Sequence, residues 1–295
     1  MSKEKDTKKQ EVLSPGKIAW RKFRKNRLAI FGAIVLTIMV LATVFANFLA
    51  PCDPNALDIF NCTKAPDSNH LLGTDDVGRD VLSRLLYGGR VSLTVGFAAV
   101  VLELLIGVTL GAFAGYFGGV VDACISRVVD MVMCFPFYVI AVSMAAILGA
   151  SARNIVIIIA VLSWPGISRI VRAQVMALRN REFIEAARAL GLTPAEIIFK
   201  HMLPNCLSPI IVNATLSMAS AILTEAGLSF IGMGVSLPTP SWGNMLSAAQ
   251  EMTALQHHWW RWLPPGLCVF LTVLSINFVG DGLRDALDPR VKSKS

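Results

Sequence analysis

The chain has 295 residues, 54% hydrophobic and 16% charged, with a formal net charge of +7. Soluble domains carry charge on about a quarter of their residues, whereas here the apolar residues fall in runs of about 20, enough to cross a hydrocarbon layer; an ordinary soluble fold is excluded. The basic residues flank those runs and make no basic face with interleaved aromatics, so nucleic acid is excluded and a lipid membrane is the expected surrounding.

Residues 1–27 are polar and Lys-rich, and Ile18 to Leu28 reads as a basic amphipathic helix on the membrane surface with Trp20 and Phe23 toward lipid. Leu28 to Ala50 is a first span, too long for a removable signal and without a small-residue cleavage site. Residues 51–90 are polar, and their two cysteines, Cys52 and Cys62, form a candidate disulfide if the segment lies outside the cytoplasm. Cys124, Cys134, Cys206 and Cys268 lie in or beside apolar runs with no CxxC spacing, as small buried hydrophobes do, and no metal site is expected. Gly73 and Gly78 have P-loop spacing, but Arg79-Asp80 follows where Lys-Ser/Thr is needed, and an Asp repels phosphate.

The second span runs from about Val91 to Tyr116. Gly107, Gly111 and Gly115 repeat every four residues along it, a packing stripe for a close neighbour. A third covers about Val128 to Leu148, with Arg127 and Asp130 spaced to pair on one face and Pro136 expected to kink it. The fourth, about 154–172, is expected to be interrupted at Trp164-Pro165-Gly166. A fifth covers about Leu207 to Ile231 and a sixth about Leu263 to Gly280, with Trp259, Trp260 and Trp262 at the interface before it. Glu103 and Glu225 are the carboxylates well inside spans, where an ionisable group is costly; each reads either as hydrogen-bonded within the bundle or as lining a pathway. Adjacent His257 and His258, with no carboxylate or Cys beside them, make a poor metal site.

Between the fourth and fifth spans lies a polar island. Arg181 to Leu190 favours helix, Gly191 supplies a stop, Thr193, Pro194 and Glu196 form a capping box, and Pro204 is expected to end the second helix. Six spans put both termini on one side. With that side cytoplasmic, 21 of the 27 Lys and Arg are inside and 6 outside, which places the island in the cytoplasm.

Glu185-Ala186-Ala187, Gly191 and Leu203-Pro204 resemble the EAA loop of ABC importer permeases, the segment that docks on a cytoplasmic ATPase. Leu72-Gly73-Thr74-Asp75, Gly78-Arg79-Asp80, Ala114-Gly115-Tyr116-Phe117-Gly118-Gly119, Pro238-Thr239-Pro240-Ser241-Trp242-Gly243 and Gly280-Asp281-Gly282-Leu283-Arg284-Asp285 are similar to the dipeptide/oligopeptide (peptide/nickel) branch, second ("C") subunit. The resemblance covers about residues 18–290; the Cys52/Cys62 pair is not part of it. It implies an all-α membrane protein, the six-helix type I importer permease fold with both termini cytoplasmic. The implied organisation is a basic segment 1–27, a first helix 28–50, an extracytoplasmic segment 51–90, a transmembrane core 91–281 holding coupling loop 181–204, and a tail 282–295. The resemblance further implies import of dipeptides or oligopeptides, with nickel or glutathione as alternative cargoes. The implied partners are a homologous permease, two ATPases that carry ATP and Mg, and an extracytoplasmic solute-binding protein. This chain would hold no cofactor and catalyse nothing, and Glu185, Ala186, Ala187, Gly191, Leu203 and Pro204 would contact the ATPase. A membrane-embedded enzyme is disfavoured because none of the four His lies deep in a span. A channel or secondary transporter would leave the island without a purpose, and no inverted repeat is evident.

Overall fold

The computed structural model describes residues 15–287; the basic residues before them and the tail from Asp288 lie outside that range. In chain order the helices are α1 (Pro15–Phe23), α2 (Arg27–Val44), α3 (Ala46–Leu49), α4 (Val81–Phe117), α5 (Gly119–Cys134), α6 (Phe137–Leu148), α7 (Ala152–Leu178), α8 (Glu182–Ala189), α9 (Pro194–Glu196), α10 (Leu207–Phe230), α11 (Trp242–Leu246), α12 (Met252–His257) and α13 (Trp259–Leu287). The described residues hold five helices long and apolar enough to cross a membrane, and six spans if the bent α5–α6 pair counts as one.

The central pair is α4 against α7. A Cβ on Gly107 would lie 2.7 Å from the Trp164 carbonyl oxygen, one on Gly111 2.4 Å from that of Ser168, and one on Gly115 2.7 Å from that of Arg172. The glycine stripe therefore brings two backbones into contact, as its spacing predicts, and every larger residue there would force the helices apart. About three turns before Gly107, α4 meets α10, where Gly96 receives Ile222. Helix α2 lies along α13, with Gly32 seated on the Ser275 backbone. Most of α2 otherwise faces outward, as a helix solvated by lipid does.

Several helix limits differ from the expected ones. Helix α4 begins at Val81 rather than Val91, because Asp80 caps it by accepting the Ser83 N–H at 2.7 Å. At 37 residues it is about 55 Å long, so it extends well beyond the hydrocarbon layer. The third span is a break, not a kink: Phe135 and Pro136 leave helical geometry and α5 meets α6 at 86°. Arg127 and Asp130 do not pair with each other; Asp130 accepts from Arg169 at 2.6 Å and Asp122 from Arg172, which ties α5 to α7. Helix α7 runs unbroken through Pro165. The tryptophans do not precede the helix: α13 starts at Trp259 and runs on through Pro264 and Pro265, each of which removes a helix N–H. Phe23 lies over Gly282 instead of facing lipid, and Trp20 stacks on its outer side, 62% exposed.

At the outer end, residues 51–80 and 231–258 close over the bundle. Arg84, buried in α4, donates to the carbonyls of Pro54 (3.1 Å) and Pro238 (3.4 Å), and Trp260 Nε1 donates to Thr74 O at 3.2 Å. The Lys64 ammonium, hydrogen-bonded to Asp67, holds that carboxyl down to about 2, so the pairing persists until strong acid.

Candidate functional site: the two-helix element and the buried carboxylates

At the inner end, α8 opens with Glu182 and Glu185 in its first turn and closes with Arg188 in its last, matching the helix dipole at both ends. It ends in a Schellman motif: Leu192 N–H donates to Ala187 O (3.2 Å) and Gly191 N–H to Arg188 O (3.0 Å). Gly191 sits at φ +77°, the left-handed geometry that motif requires. Thr193 then caps α9 through the expected capping box with Glu196. The chain continues without a stop: a π turn over Ile197–Met202 and a 3-10 turn over Leu203–Cys206 lead directly into α10, with Pro204 in the second position of that turn. Pro204 removes one N–H and shifts the hydrogen-bond register, but does not end the helix as the sequence suggested.

The element is held to the membrane helices by apolar packing. Ile184, Ala187, Ile197, Ile198 and Met202 are buried against Val171 and Val175 of α7 and Ala112 and Tyr116 of α4. Each fully buried aliphatic side chain contributes about 1.5–3 kcal/mol. The Arg188 guanidinium stands over the Tyr116 ring at 5.3 Å. Movement of α8 is therefore movement of the inner ends of α4, α7 and α10 together.

The two carboxylates are built differently. Glu225 on α10 is fully buried; Oε2 accepts from Ser92 Oγ (2.7 Å) and Oε1 from Ser229 Oγ (2.8 Å). Those hydroxyls in turn accept the Trp242 and Val235 N–H groups, so the network ties α4, α10 and the outer loop together. Glu103 on α4 is 3% exposed, and its Oε1 accepts from Ser217 Oγ at 2.9 Å. It lines a groove shared by α4, α7, α10 and the α5–α6 break.

A sequence model for the family "Binding-protein-dependent transport system inner membrane component" matches residues 107–293, and one for the "N-terminal TM domain of oligopeptide transport permease C" matches residues 14–68. The chain belongs to this family of inner-membrane transport permeases. It is 45% identical over 282 residues to the dipeptide transport system permease protein DppC of Alkalihalophilus pseudofirmus, covering 96% of this chain and 92% of that one. To the di/tripeptide transport system permease protein DppC of Pseudomonas aeruginosa it is 42% identical over 286 residues, covering 95% and 94%. Its fold matches a chain of the inward-facing MetNI methionine ABC transporter with TM-score 0.55 and 21% identity, over 70% of this chain and 96% of that one. The permease is thus a multi-pass inner-membrane subunit with the type I fold, and not an enzyme.

Within the permease, the residues expected in the docking element divide into two sets. Glu185, Ala186, Gly191 and Pro204 are exposed, whereas Ala187 and Leu203 turn inward and pack on the apolar cluster, so those two anchor the element instead of facing outward. Sequence reasoning missed Phe183 (44% exposed), Leu190 (79%) and Phe199 (48%), apolar residues beside the outward set. The signal was there: three large apolar residues outside the helical stripe that Ile184, Ala187 and Ile197 satisfy. Cys52 and Cys62 are both free and exposed, against the expected disulfide. Cys52 N–H donates to Ser83 Oγ, while the Cys62 thiol points to the Ile59 carbonyl. The P-loop-like glycines make no cradle, since a Cβ on Gly78 would lie 1.8 Å from Asp58 O and Asp80 is spent as a helix cap. His257 is exposed and His258 packs on the Trp260 ring at 5.2 Å.

Proposed function

We propose that this permease forms half of the path of an ATP-driven importer for short peptides, and takes its force from a cytoplasmic ATPase through the α8–Gly191–α9 element. The observation that carries this reading is the element itself. It is rigid at both joints, bonded through its buried face to three membrane helices, and bare on its outward face, where Phe183, Leu190 and Phe199 leave apolar surface uncovered. Exposed apolar residues beside polar ones favour a protein contact. Glu185, Ala186 and Gly191 are all exposed, and among the described residues nothing beyond Gly191's own chain neighbours comes within 4 Å of a Cβ placed there. A motor subunit seated there would rotate the inner ends of α4, α7 and α10 as one body and so bias the path between its two facing states. The partners are a homologous permease, two ATPases that bind ATP and Mg, and an extracytoplasmic solute-binding protein. Peptide cargo is supported by the names of the relatives and by the motifs of the dipeptide/oligopeptide branch.

The test is reconstitution of the complete complex in liposomes with its binding protein. Dipeptide should stimulate ATP hydrolysis and accumulate inside, glutathione and nickel should do so less, and the lone chain should move nothing. Uptake by the lone chain without ATP, or stimulation by nickel alone, would overturn the reading.

A further inference from the structure

We infer that Glu103 receives the ammonium end of the cargo part-way across the membrane; this rests on the peptide-import reading. Glu103 projects into a groove of about 440 Å³ lined on the polar side by Ser163 of α7 and by Asn213, Ser217 and Ser220 of α10. That volume lies within the roughly 300–1,000 Å³ of small-molecule sites. The residue lies fourteen positions before the cytoplasmic end of α4 at Phe117, or about 21 Å along the axis. Measured against a hydrocarbon core of about 30 Å, that is an interior depth.

The comparison with Glu225 shows what is unusual. Both Glu225 oxygens are engaged by hydroxyls that are themselves engaged by backbone N–H groups, and Glu225 does not line the groove. Glu103 receives one hydroxyl, on Oε1, and among the described residues no Lys, Arg or His comes within 4 Å of either oxygen. An anion buried with a single neutral donor is under-compensated. A primary ammonium supplies the opposite charge and three N–H donors, enough for Oε2 and for the neighbouring Asn213 and Ser217 oxygens. Charge-assisted pairing of that kind is about twice as strong as a neutral hydrogen bond. It is available only while the groove is open, which suits a transfer station and not a tight site.

The experiment uses the complete complex with both permeases, the ATPases and the binding protein in liposomes, and labelled dialanine as cargo. Glu103→Gln is expected to lower dialanine moved per ATP hydrolysed by about tenfold, with complex yield, melting midpoint and binding-protein-stimulated ATP hydrolysis within about twofold of the original. Glu103→Asp should restore most of the loss. In the Glu103→Cys complex, dialanine under turnover should slow N-ethylmaleimide labelling at position 103. Uptake by Glu103→Gln equal to the original overturns the inference, and so does a parallel fall in assembly and ATP hydrolysis, which marks a structural carboxylate. Position 103 closed to the reagent with no cargo present also overturns it, since the groove is then filled by the partner permease. If the unaltered complex itself fails to take up dialanine, it is the import reading that falls.

Discussion

The two ends of this permease are built on opposite rules. The outer end closes on itself: Arg84, Arg90, Trp242 and Trp260 each donate to a backbone carbonyl far away in sequence. Arg79 and Arg261 find Asp75, Asp76 and Glu251 there. Buried polar groups paired over such distances fix one arrangement, although among the described residues His258 Nδ1, Arg261 Nε and Trp262 Nε1 are left without a hydrogen-bond partner there. The inner end is held mostly by apolar packing, with one cation–π contact and the Asp122–Arg172 and Asp130–Arg169 pairs between α5 and α7, and it leaves Phe183, Leu190 and Phe199 uncovered. Leu57, Ile59 and Phe60 stay exposed at the outer end as well, so what separates the two ends is the force that holds them, long-range polar bonds outside and mostly apolar packing inside.

Two glycines test that contrast directly, since both sit at positive φ, Gly78 at +81° outside and Gly191 at +77° inside. At Gly78 an added Cβ would also lie 1.8 Å from the Asp58 carbonyl oxygen, whereas at Gly191 nothing among the described residues, chain neighbours apart, lies within 4 Å. Gly78→Ala should therefore carry the largest structural penalty, about 3–5 kcal/mol from overlap plus left-handed strain. Thermal melting of the detergent-purified complex would register it as a large drop in midpoint or loss of the complex. Gly191→Ala should cost only about 1 kcal/mol.

Function should reverse the order. Gly191→Leu keeps the complex assembled, because the chain itself has room for the side chain, yet should lower ATP-driven uptake by about tenfold or more by obstructing the docking face. Gly191→Asn separates the two causes. Asn tolerates left-handed geometry, so an Asn variant as inactive as Leu assigns the defect to the partner's fit, and an active one assigns it to the turn. A smaller effect is expected at Thr193, whose hydroxyl and backbone share Glu196 in the capping box. Thr193→Ala should weaken the start of α9 by about 1 kcal/mol, seen as faster amide exchange over residues 194–198 with assembly unchanged.

How much of this was legible in the sequence follows from the same contrast. Local signals spoke clearly: the Gly191 stop and the Thr193 capping box depend on neighbours within a few residues, and the spacing of Gly107, Gly111 and Gly115 marked a close helix contact without naming α7 as the partner. Tertiary context decided the rest. Pro165 and Pro204 read as interruptions, but α7 and the Pro194–Phe230 path continue through them, because π and 3-10 turns and packing against α4 offset a missing N–H. Asp130 chose Arg169 across helices over Arg127 on its own, which spacing alone cannot show. For the candidate site, the sequence named the outward residues Glu185 and Gly191 together with Ala187 and Leu203, whose inward turn depends on where α4 and α7 lie.

The smallest effect concerns Arg188, and it asks whether the inner end transmits force through packing alone. Its guanidinium stands over Tyr116, the last buried ring of α4 and a member of the apolar cluster, and so adds a charged contact to the packing that links α8 to α4. At an exposed position such a contact contributes about 0.5–1 kcal/mol, small beside the several buried aliphatics that hold the same element. If packing carries the load, Arg188→Ala should leave melting nearly unchanged and lower uptake per ATP by no more than about twofold to fivefold. Arg188→Lys should fall between the two, because an ammonium keeps the charge but loses the planar face. A much larger loss in Arg188→Ala, rescued by Lys, would mean that the α8–α4 link is electrostatic and that the apolar cluster only positions it. The contrast between the two ends would then need redrawing, with charge holding both of them.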